Sequence, residues 1–293
     1  MTGKAHRMRD ILRSLAMLAA FATPAFAAEV HPPTQVTAGA SFSMPSSGTG
    51  QGTLYLIGPA NLSKRQVTLG GDIPVEGDEV EHAGRYTAIL CTDQCVASTF
   101  YVHANSADRL SLLVHPSRVP VSDPNAISAV AFVWDAYHNL VLSPVNVKFT
   151  VNPTEHASLS EGRTTSNGIA WIGLTSAAKS GPANLEASIG NLSEVRVVQQ
   201  VASDACNLRI HGSSSARKIM VETDPVRDCS GNFVPDGTVV SFTLTDAAGK
   251  TTVDVPIKKG VAKVEIPAVG RARITAASGV VTGNELDMTG GGE

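Results

Sequence analysis

The sequence feature that most constrains the fold is an internal repeat with a period of about 90 residues. The segment Asp135–Val151 aligns without a gap on Asp228–Leu244, and one Asp, one Asn, two Val, one Phe and one Thr are identical in place. Further along the chain, Gly168–Leu174 matches Gly260–Ile266 at almost the same offset. A period of this size corresponds to one β-sandwich domain and is far longer than a solenoid repeat. The repeat therefore predicts two tandem copies of one small domain.

Beyond residue 34 the chain is patterned for β-strands. Runs such as Gly52–Ile57, Ile127–Val133 and Thr238–Leu244 are rich in β-branched and apolar residues, and several alternate apolar with polar positions. Gly and Pro, which number 26 and 16, fall between these runs and favour turns there. The pattern predicts an all-β chain of tandem immunoglobulin-like β-sandwiches after a cleaved signal peptide. The predicted segments are a signal peptide at 1–27, sandwich domains at 29–106, 107–201 and 202–288, and a flexible tail at 289–293.

The first 27 residues have the three parts of a signal peptide. A basic stretch from Lys4 to Arg13 precedes the apolar run Leu15–Ala22, and Ala25 and Ala27 give the small-x-small pattern that signal peptidase cleaves. The apolar run is too short to cross a bilayer, which takes about 20 residues. We therefore expect cleavage near Ala27, no membrane insertion, and an extracytoplasmic bacterial protein that is periplasmic or secreted.

Four cysteines follow the predicted signal peptide, and an even number in an oxidising compartment favours two disulfides. Proximity in the sequence suggests that Cys91 pairs with Cys95 and that Cys206 pairs with Cys229. The alternative is a metal site, but Cys91 and Cys95 have neither a second close cysteine pair nor a histidine at ligand spacing. We expect disulfides and no cofactor.

The segment 29–106 does not align with the repeat, but it carries a signal of its own in His82–Ala88. An Ala-Gly turn precedes Tyr86, as in the tyrosine corner of immunoglobulin-like folds, where the tyrosine hydroxyl bonds back to nearby backbone. Tyr86 would then open the penultimate strand, and Gly84 would supply a turn conformation that β-branched residues resist. The alternative is an ordinary surface tyrosine.

The repeated units resemble bacterial immunoglobulin-like domains of the invasin and intimin type. In those domains an Asp-x-x-x-Asn turn is followed by Pro, a Val-x-Phe strand and a Gly-x-Ala strand. The matching residues are Asp135, Asn139, Pro144, Val147, Phe149, Gly168 and Ala170 in the first copy and Asp228, Asn232, Pro235, Val240, Phe242, Gly260 and Ala262 in the second. The resemblance implies an immunoglobulin-like sandwich fold and, from the best-known role of the family, adhesion at a surface.

No part of the sequence has the pattern of an active site. The nucleophile turn Gly-x-Ser-x-Gly does not occur, and the histidines are scattered without partners at zinc-protease spacing. The acidic segment Gly71–Glu81 could bring two carboxylates together for glycoside hydrolysis, but aromatic residues are only 5% of the chain, which favours a solvated connection. The net charge of −3 and the lack of a basic run give no footprint for nucleic acid. We expect a protein that is not an enzyme and does not bind nucleic acid.

Side-chain oxygens that could bind calcium are grouped on the repeated loops. They belong to Asp135 and Asn139 in the first copy and to Asp228, Asn232 and Asp236 in the second. Asp and Asn side chains at such positions also hydrogen-bond the backbone of their own turn, and this turn-capping role is favoured over a metal site.

Trp134 and Trp171 both lie in strand-like runs of the predicted middle domain. We expect them to be buried, because a tryptophan in the core is usual in such sandwiches. If either is exposed, it becomes the leading candidate for a binding anchor.

The sequence thus favours a non-enzymatic exported protein of tandem immunoglobulin-like domains that contacts an unknown protein or cell-envelope component. A small-ligand or carbohydrate-binding module of the envelope is the alternative, and an exposed tryptophan beside a groove would favour it. A hydrolase with an unrecognised site is a third and less favoured hypothesis, and a pocket where His and carboxylate side chains converge would favour it.

Overall fold

The computed structural model describes residues 28–153, 158–215 and 218–289, which form a succession of β-strands. The one helix in these ranges is a single 3-10 turn, Gly77–Val80. The strands pair into seven sheets, and each sheet draws its strands from one of three consecutive stretches of the chain. The predicted all-β fold of tandem immunoglobulin-like sandwiches is confirmed. The predicted signal peptide, 1–27, and all but the first residue of the predicted tail lie outside the described residues.

The first sandwich contains seven strands. They are β1 (Gln35–Thr37), β2 (Phe42–Pro45), β3 (Gln51–Ile57), β4 (Leu62–Thr68), β5 (Asp72–Val75), β6 (Gly84–Cys91) and β7 (Cys95–His103). The larger sheet has the order β1-β7-β6-β3-β4, in which β1 runs parallel to β7 and the other neighbours are antiparallel. Strands β2 and β5 form the second sheet.

The middle sandwich contains eight strands. They are β8 (Arg109–His115), β9 (Arg118–Pro120), β10 (Ile127–Trp134), β11 (Asn146–Pro153), β12 (Leu159–Thr164), β13 (Ile169–Leu174), β14 (Gly181–Ile189) and β15 (Leu192–Val201). One sheet has the order β13-β10-β8, and the other has the order β12-β11-β14-β15-β9. The three-stranded sheet is antiparallel throughout and carries both tryptophans.

The third sandwich contains ten strands, several of them short. They are β16 (Ala205–Asn207), β17 (Ile210–Ser215), β18 (Lys218–Thr223), β19 (Arg227–Asp228), β20 (Val239–Asp246), β21 (Gly249–Pro256), β22 (Lys263–Pro267), β23 (Arg271–Ser278), β24 (Val281–Thr282) and β25 (Leu286–Thr289). Strand β23 pairs with β20, β24 and β25, and β20 pairs with β21. Two further sheets have the orders β17-β18-β22 and β16-β19.

The internal repeat is present in the backbone as well as in the sequence. His138 and Gly231, at the same position of the two copies, both have positive φ, 65° and 84°. The turns Asn167–Gly168 and Lys259–Gly260 each have two consecutive positive φ values, the conformation of a tight type I′ hairpin turn. Matching positions therefore have the same conformation even where one copy has a residue other than glycine.

The chain divides into two compact units. The first comprises the residues up to Asn105 together with Tyr137–Asn139, and its core is formed by side chains such as Tyr86, Phe100 and Met44. The second unit holds the middle and third sandwiches. Phe149 and Phe242, which match in the repeat, are buried in the middle and third sandwiches respectively. The strands thus fall into the predicted stretches, while the predicted boundaries near 106 and 201 stay predictions.

Both suggested disulfides are present. Cys91 and Cys95 face each other across the β6–β7 hairpin, with Cα atoms 4.0 Å apart. Cys206 bonds to Cys229, which follows β19 directly, so this bridge ties the β16–β19 pair. No cysteine within the described ranges is free.

Candidate functional site

Strand β10 places its larger apolar side chains on the outside of the middle sandwich. Residues Ile127, Ala129, Ala131 and Val133 are buried, so the core side of this strand is built partly from alanine. The residues between them, Ser128, Val130, Phe132 and Trp134, are only half-buried and lie on the opposite face. A strand shaped only by its core would place the large apolar residues inward. The outer face of the strand is therefore apolar, which is the kind of exposed surface that marks interaction sites.

The register of the sheet brings further apolar residues next to these. Val130 pairs with Trp171 of β13 on one side and with Leu113 of β8 on the other. Phe132 pairs with Ile169 in the next row. Side chains of paired residues lie on the same face of an antiparallel sheet, about 5 Å apart. We refer to the resulting surface as the aromatic face, and its members are Leu113, Val130, Phe132, Trp134, Ile169 and Trp171.

Trp171 is the most prominent member of the aromatic face. Its side chain is 60% exposed, and Leu113 across the sheet is 61% exposed. The indole Nε1–H donates a hydrogen bond of 2.8 Å to Ser128 Oγ, which fixes the ring across the strands. The rings of Phe132 and Trp134 are stacked with centroids 6.2 Å apart. The face is therefore a set of oriented rings rather than a collection of separate surface residues.

The chemistry of the aromatic face is that of a docking surface. Its side chains carry no ionisable group, and their polar hydrogens are the two indole N–H groups, of which that of Trp171 is bonded to Ser128. Arg109, Ser111 and His115 are exposed at positions of β8 on the same face, so polar groups border the apolar centre. An apolar, aromatic centre with a polar rim is the usual anatomy of a protein–protein interface.

The expectation that both tryptophans are buried is wrong. Trp171 is exposed, and Trp134 is half-buried. In β13 the inward positions are taken by Ala170 and Ile172, which puts Trp171 on the other side of the strand. Both sides of this strand are apolar in sequence, so the alternation alone does not say which one faces the core.

Four members of the aromatic face were not singled out by sequence reasoning. Leu113, Val130, Phe132 and Ile169 look like ordinary strand residues, and only the pairing register brings them together with the tryptophans. One signal was available in the sequence. The run Ile127–Trp134 has alanine at two alternate positions and valine, phenylalanine and tryptophan at the others, which hints that the bulkier side faces outward.

The calcium candidates of the second repeated loop bind protein groups. Asp228 Oδ1 accepts the backbone N–H groups of Ser230 and Asn232 at 2.9 and 2.8 Å. Asp228 Oδ2 accepts the N–H of Ser203 at 3.1 Å, and Asn232 Nδ2 donates to both carboxylate oxygens. Asp236 is exposed and accepts a longer backbone bond of 3.4 Å. These contacts are those of turn capping, and calcium binding by this loop stays a prediction.

The hydrogen bonds around Asp228 change its acidity. Burial opposes ionisation of the carboxyl, but the side chain and backbone of Asn232 and the backbones of Ser203 and Ser230 outweigh it, so the pKa of Asp228 lies below its usual range. In the other copy, Asp135 is fully buried and Asn139 nearly so. Calcium binding by that pair stays a prediction too. Within the described parts of the chain, no group of three or more His, Cys, Asp or Glu side chains is placed to hold a metal ion.

The tyrosine corner is found in part of its geometry. Tyr86 is fully buried in the third position of β6, and Gly84 has a φ of 145°, which side chains disfavour. Burial raises the pKa of Tyr86, and the His82 backbone opposes that shift. The Tyr86 hydroxyl has no partner within hydrogen-bond geometry among the described residues, and neither does the nearby Asn61 Oδ1. The ring is placed as in a corner, and the backbone bond of the hydroxyl stays a prediction.

Comparisons with known proteins extend these observations. No protein-family model matches the chain, and no curated protein matches it. Among the helices of the described part, none has the length and apolarity to cross a membrane.

Solved structures with a similar fold include bacterial adhesins and invasins. The Escherichia coli adhesin FdeC matches with a TM-score of 0.63 and 14% identity, over 91% of this chain and 96% of the FdeC chain. Invasin, a bacterial integrin-binding protein, matches with a TM-score of 0.53 and 11% identity, over 90% of this chain and 59% of the invasin chain. At these identities the similarity concerns the fold. The chain thus shares its fold of tandem immunoglobulin-like β-sandwiches with FdeC and invasin.

Proposed function

We propose that the chain is a non-enzymatic extracytoplasmic binding protein, and that the aromatic face of its middle sandwich docks a partner protein. The observation that carries this proposal is the exposure of Trp171, whose ring is held by Ser128, together with that of the equally exposed Leu113 two strands away on the same face. Burying large apolar side chains at the centre of a patch supplies most of the affinity in protein interfaces. The predicted signal peptide and the two disulfides support an extracytoplasmic location.

The flat shape of the site favours a protein over a sugar. Trp171, Val130 and Leu113 lie side by side on three paired strands, so they present an open surface rather than the wall of a groove. Sugar sites combine an aromatic ring with several hydrogen-bonding side chains, whereas the centre of this face is apolar. The solved structures with this fold include an adhesin and an integrin-binding protein, which also supports a role in adhesion.

The experiment measures capture of the extracytoplasmic protein fraction of the source bacterium, and separately of host-cell surface protein, on the immobilised chain. Trp171→Ala and Leu113→Ala should each reduce capture about tenfold or more, because hot-spot side chains of this size are worth that much. Val197→Ala is the matched control, since Val197 is 57% exposed on the other sheet of the same sandwich. That variant should capture partners as well as the original chain.

Treatment of the applied fraction before capture distinguishes a protein ligand from a carbohydrate ligand. Protease treatment should abolish binding, and periodate oxidation of sugars should leave it unchanged. Binding that survives protease but not periodate would establish the carbohydrate-binding alternative, for which the exposure of Trp171 is the favourable observation. Binding that is indifferent to Trp171→Ala and Leu113→Ala would overturn the assignment of the site.

A further inference from the structure

The asparagine of the repeated Asp-x-x-x-Asn loop makes the same pair of bonds twice in this protein. Asn232 Nδ2 donates to the carbonyl oxygen of Ala178 at 2.8 Å, and its Oδ1 accepts the N–H of Ser180 at 2.9 Å. Ala178 and Ser180 belong to the middle sandwich, whereas Asn232 belongs to the third. A single carboxamide therefore binds two backbone groups of the preceding sandwich, in the manner of a strand pairing.

The first unit contains an equivalent pair of bonds. Asn139, at the matching position of the repeat, donates through Nδ2 to the carbonyl oxygen of Glu81 at 2.7 Å and accepts the N–H of Ala83 at 2.8 Å. The carbonyl and the N–H are again two residues apart. In both cases a glycine with strongly positive φ follows directly, at 145° for Gly84 and 142° for Gly181, and begins the strand that is second to last in the chain order of its sandwich. The repetition of this geometry indicates a recurring structural motif rather than a chance contact.

We call the segments bonded by the two asparagines, Ala178–Ser180 and Glu81–Ala83, the corners. Each corner contributes only main-chain atoms to the bonds. Ala178, Lys179 and Ser180 all have exposed side chains, and the first corner has the unrelated residues Glu81 and Ala83 at the bonding positions. A carbonyl and an N–H together require one donor and one acceptor, which the carboxamide supplies. Neither a carboxylate nor a hydroxyl places both at this spacing.

In the third sandwich, the corresponding corner is bonded by a carboxylate instead of a carboxamide. This corner, Pro267–Gly270, precedes β23, and there the N–H of Val269 donates to Asp246 Oδ2 at 2.8 Å. Asp246 is a residue of the same sandwich, and its other oxygen accepts the N–H groups of Ala248 and Gly249. Asp246 thus accepts an N–H of its own sandwich, whereas Asn232 bonds backbone groups of the neighbouring sandwich.

Neighbouring residues restrict the side chain of Asn232 to the orientation of this contact. Its side chain is bonded to Asp228, whose Oδ2 also binds Ser203 in the short connection between β15 and β16. The disulfide from Cys229 to Cys206 fixes the same loop, and Asn232 is almost fully buried. The amide therefore loses little conformational freedom when it binds the corner.

We propose that the backbone of the corner Ala178–Ser180 is a docking site for a side-chain carboxamide and that the side chains of the corner take no part in the recognition. Through this site, Asn232 anchors the third sandwich to the middle one. The partner that fits such a corner is an Asp-x-x-x-Asn loop of a following sandwich. The recurrence at Glu81 and Ala83 shows that the chemistry does not depend on the local sequence.

Amide hydrogen exchange of the full-length mature chain, read by NMR, tests the proposal. The Ser180 N–H lies in a loop and its bond is to Asn232 Oδ1, so its protection reports docking directly. Asn232→Ala should raise the exchange rate of the Ser180 amide about tenfold, the effect of losing a pair of ordinary hydrogen bonds. The amide of Leu185, inside the β14–β15 hairpin, should be unchanged. Ser230→Ala, in the same loop, is the matched control and should leave the Ser180 amide protected.

Two further variants test the selectivity. Asn232→Asp keeps the acceptor for Ser180 but meets the Ala178 carbonyl and Asp228 with negative charge, so the Ser180 amide should exchange at least as fast as in Asn232→Ala. The triple change Ala178→Glu, Lys179→His and Ser180→Ala gives the corner the residues of the first one. It should retain protection of the amide at position 180 within about twofold, as expected for exposed side chains.

The outcomes distinguish the proposal from its alternatives. Rapid exchange of the Ser180 amide in the unchanged chain would overturn it without any variant, and this holds even if Asn232→Ala does not fold. Loss of protection in the triple variant would show that the corner side chains take part. Equal protection in Asn232→Asp and the original chain would show that a carboxamide is not required.

Discussion

Gly58 leaves no room for a side chain beside the ring of Tyr86. A Cβ atom at Gly58 would overlap both the Tyr86 ring and Asn61 Oδ1, so the buried tyrosine depends on a glycine that is distant in sequence. The Tyr86 hydroxyl and Asn61 Oδ1 are both buried here without a partner in hydrogen-bond geometry among the described residues, whereas Asn61 Nδ2 donates to the carbonyl oxygen of Glu79. The close packing of Gly58 against the ring is therefore the contribution of this site to the first sandwich that the geometry shows.

Replacing Tyr86 by Phe should change the free energy of unfolding by no more than about 0.5 kcal/mol, because no described residue bonds the hydroxyl within hydrogen-bond geometry. Gly58→Val is the contrasting variant and should cost about 1–3 kcal/mol through overpacking. Urea unfolding of the whole chain, with hydrogen exchange of first-sandwich peptides, measures both. A cost above about 1 kcal/mol for Tyr86→Phe would show that the hydroxyl has a bonded partner in solution, as a tyrosine corner requires.

The lowered pKa of Asp228 predicts a loss of stability in acid. Because the folded state favours the carboxylate, this group stabilises the protein above its unfolded-state pKa, near 3.8, and that contribution is lost as the pH falls through the lower folded-state value. The stability advantage of the original chain over Asp228→Asn should therefore shrink between pH 5 and pH 2, roughly the range over which such a group titrates. Urea midpoints at several pH values measure it. A constant difference over this range would contradict the prediction.

At the scale of single strands, β10 and β13 show how far sequence reasoning reaches. Their existence and ends follow from runs of apolar and β-branched residues between turns, and the repeat locates the Asp-x-x-x-Asn loops. Which side of β13 faces the core does not follow, because Ile169 and Trp171 on one side are as apolar as Ala170 and Ile172 on the other. The phase is set by the neighbouring sheet, which the strand's own pattern does not encode.

The exposed position of Trp171 predicts an unusual pair of mutational effects. Trp171→Thr should alter the free energy of unfolding by no more than about 0.5 kcal/mol, since the side chain is largely in solvent and threonine suits a strand. Ile172→Ala, one residue along, should cost about 2–5 kcal/mol because Ile172 is fully buried. Thermal or urea unfolding measures both. A larger loss for Trp171→Thr than for Ile172→Ala would place the tryptophan in the core after all.

The site could be predicted only in part, for a related reason. Trp171 and Trp134 were identifiable as possible anchors because tryptophan is rare in this chain, but their partners Leu113 and Ile169 come from strands 56 positions apart. Non-local pairings of this kind depend on the whole sheet. The bond from Trp171 to Ser128 is likewise a cross-strand contact that no local pattern contains.

For the molecule as a whole, the two disulfides should leave no reactive thiol in the mature protein. Thiol titration of denatured, unreduced protein should give none, and two or more thiols per chain would contradict the pairing. Removing the Cys206–Cys229 bridge by changing both residues to Ala should lower the free energy of unfolding by about 3 kcal/mol, and removing Cys91–Cys95 by about 2 kcal/mol, because the longer loop restrains the unfolded chain more. Unfolding of the two double variants in urea compares them.

The recognition of a backbone corner by an asparagine has a consequence for how the number of repeats in such a protein can change. A segment that begins with an Asp-x-x-x-Asn loop and also contains a backbone corner carries both kinds of partner for this contact, as the stretch between Asp135 and Asp228 does. In-frame duplication of that segment places a new asparagine next to a corner whose recognition does not depend on its side chains. On this proposal, a gene can gain or lose one repeat in a single recombination event without a compensating substitution in the corner.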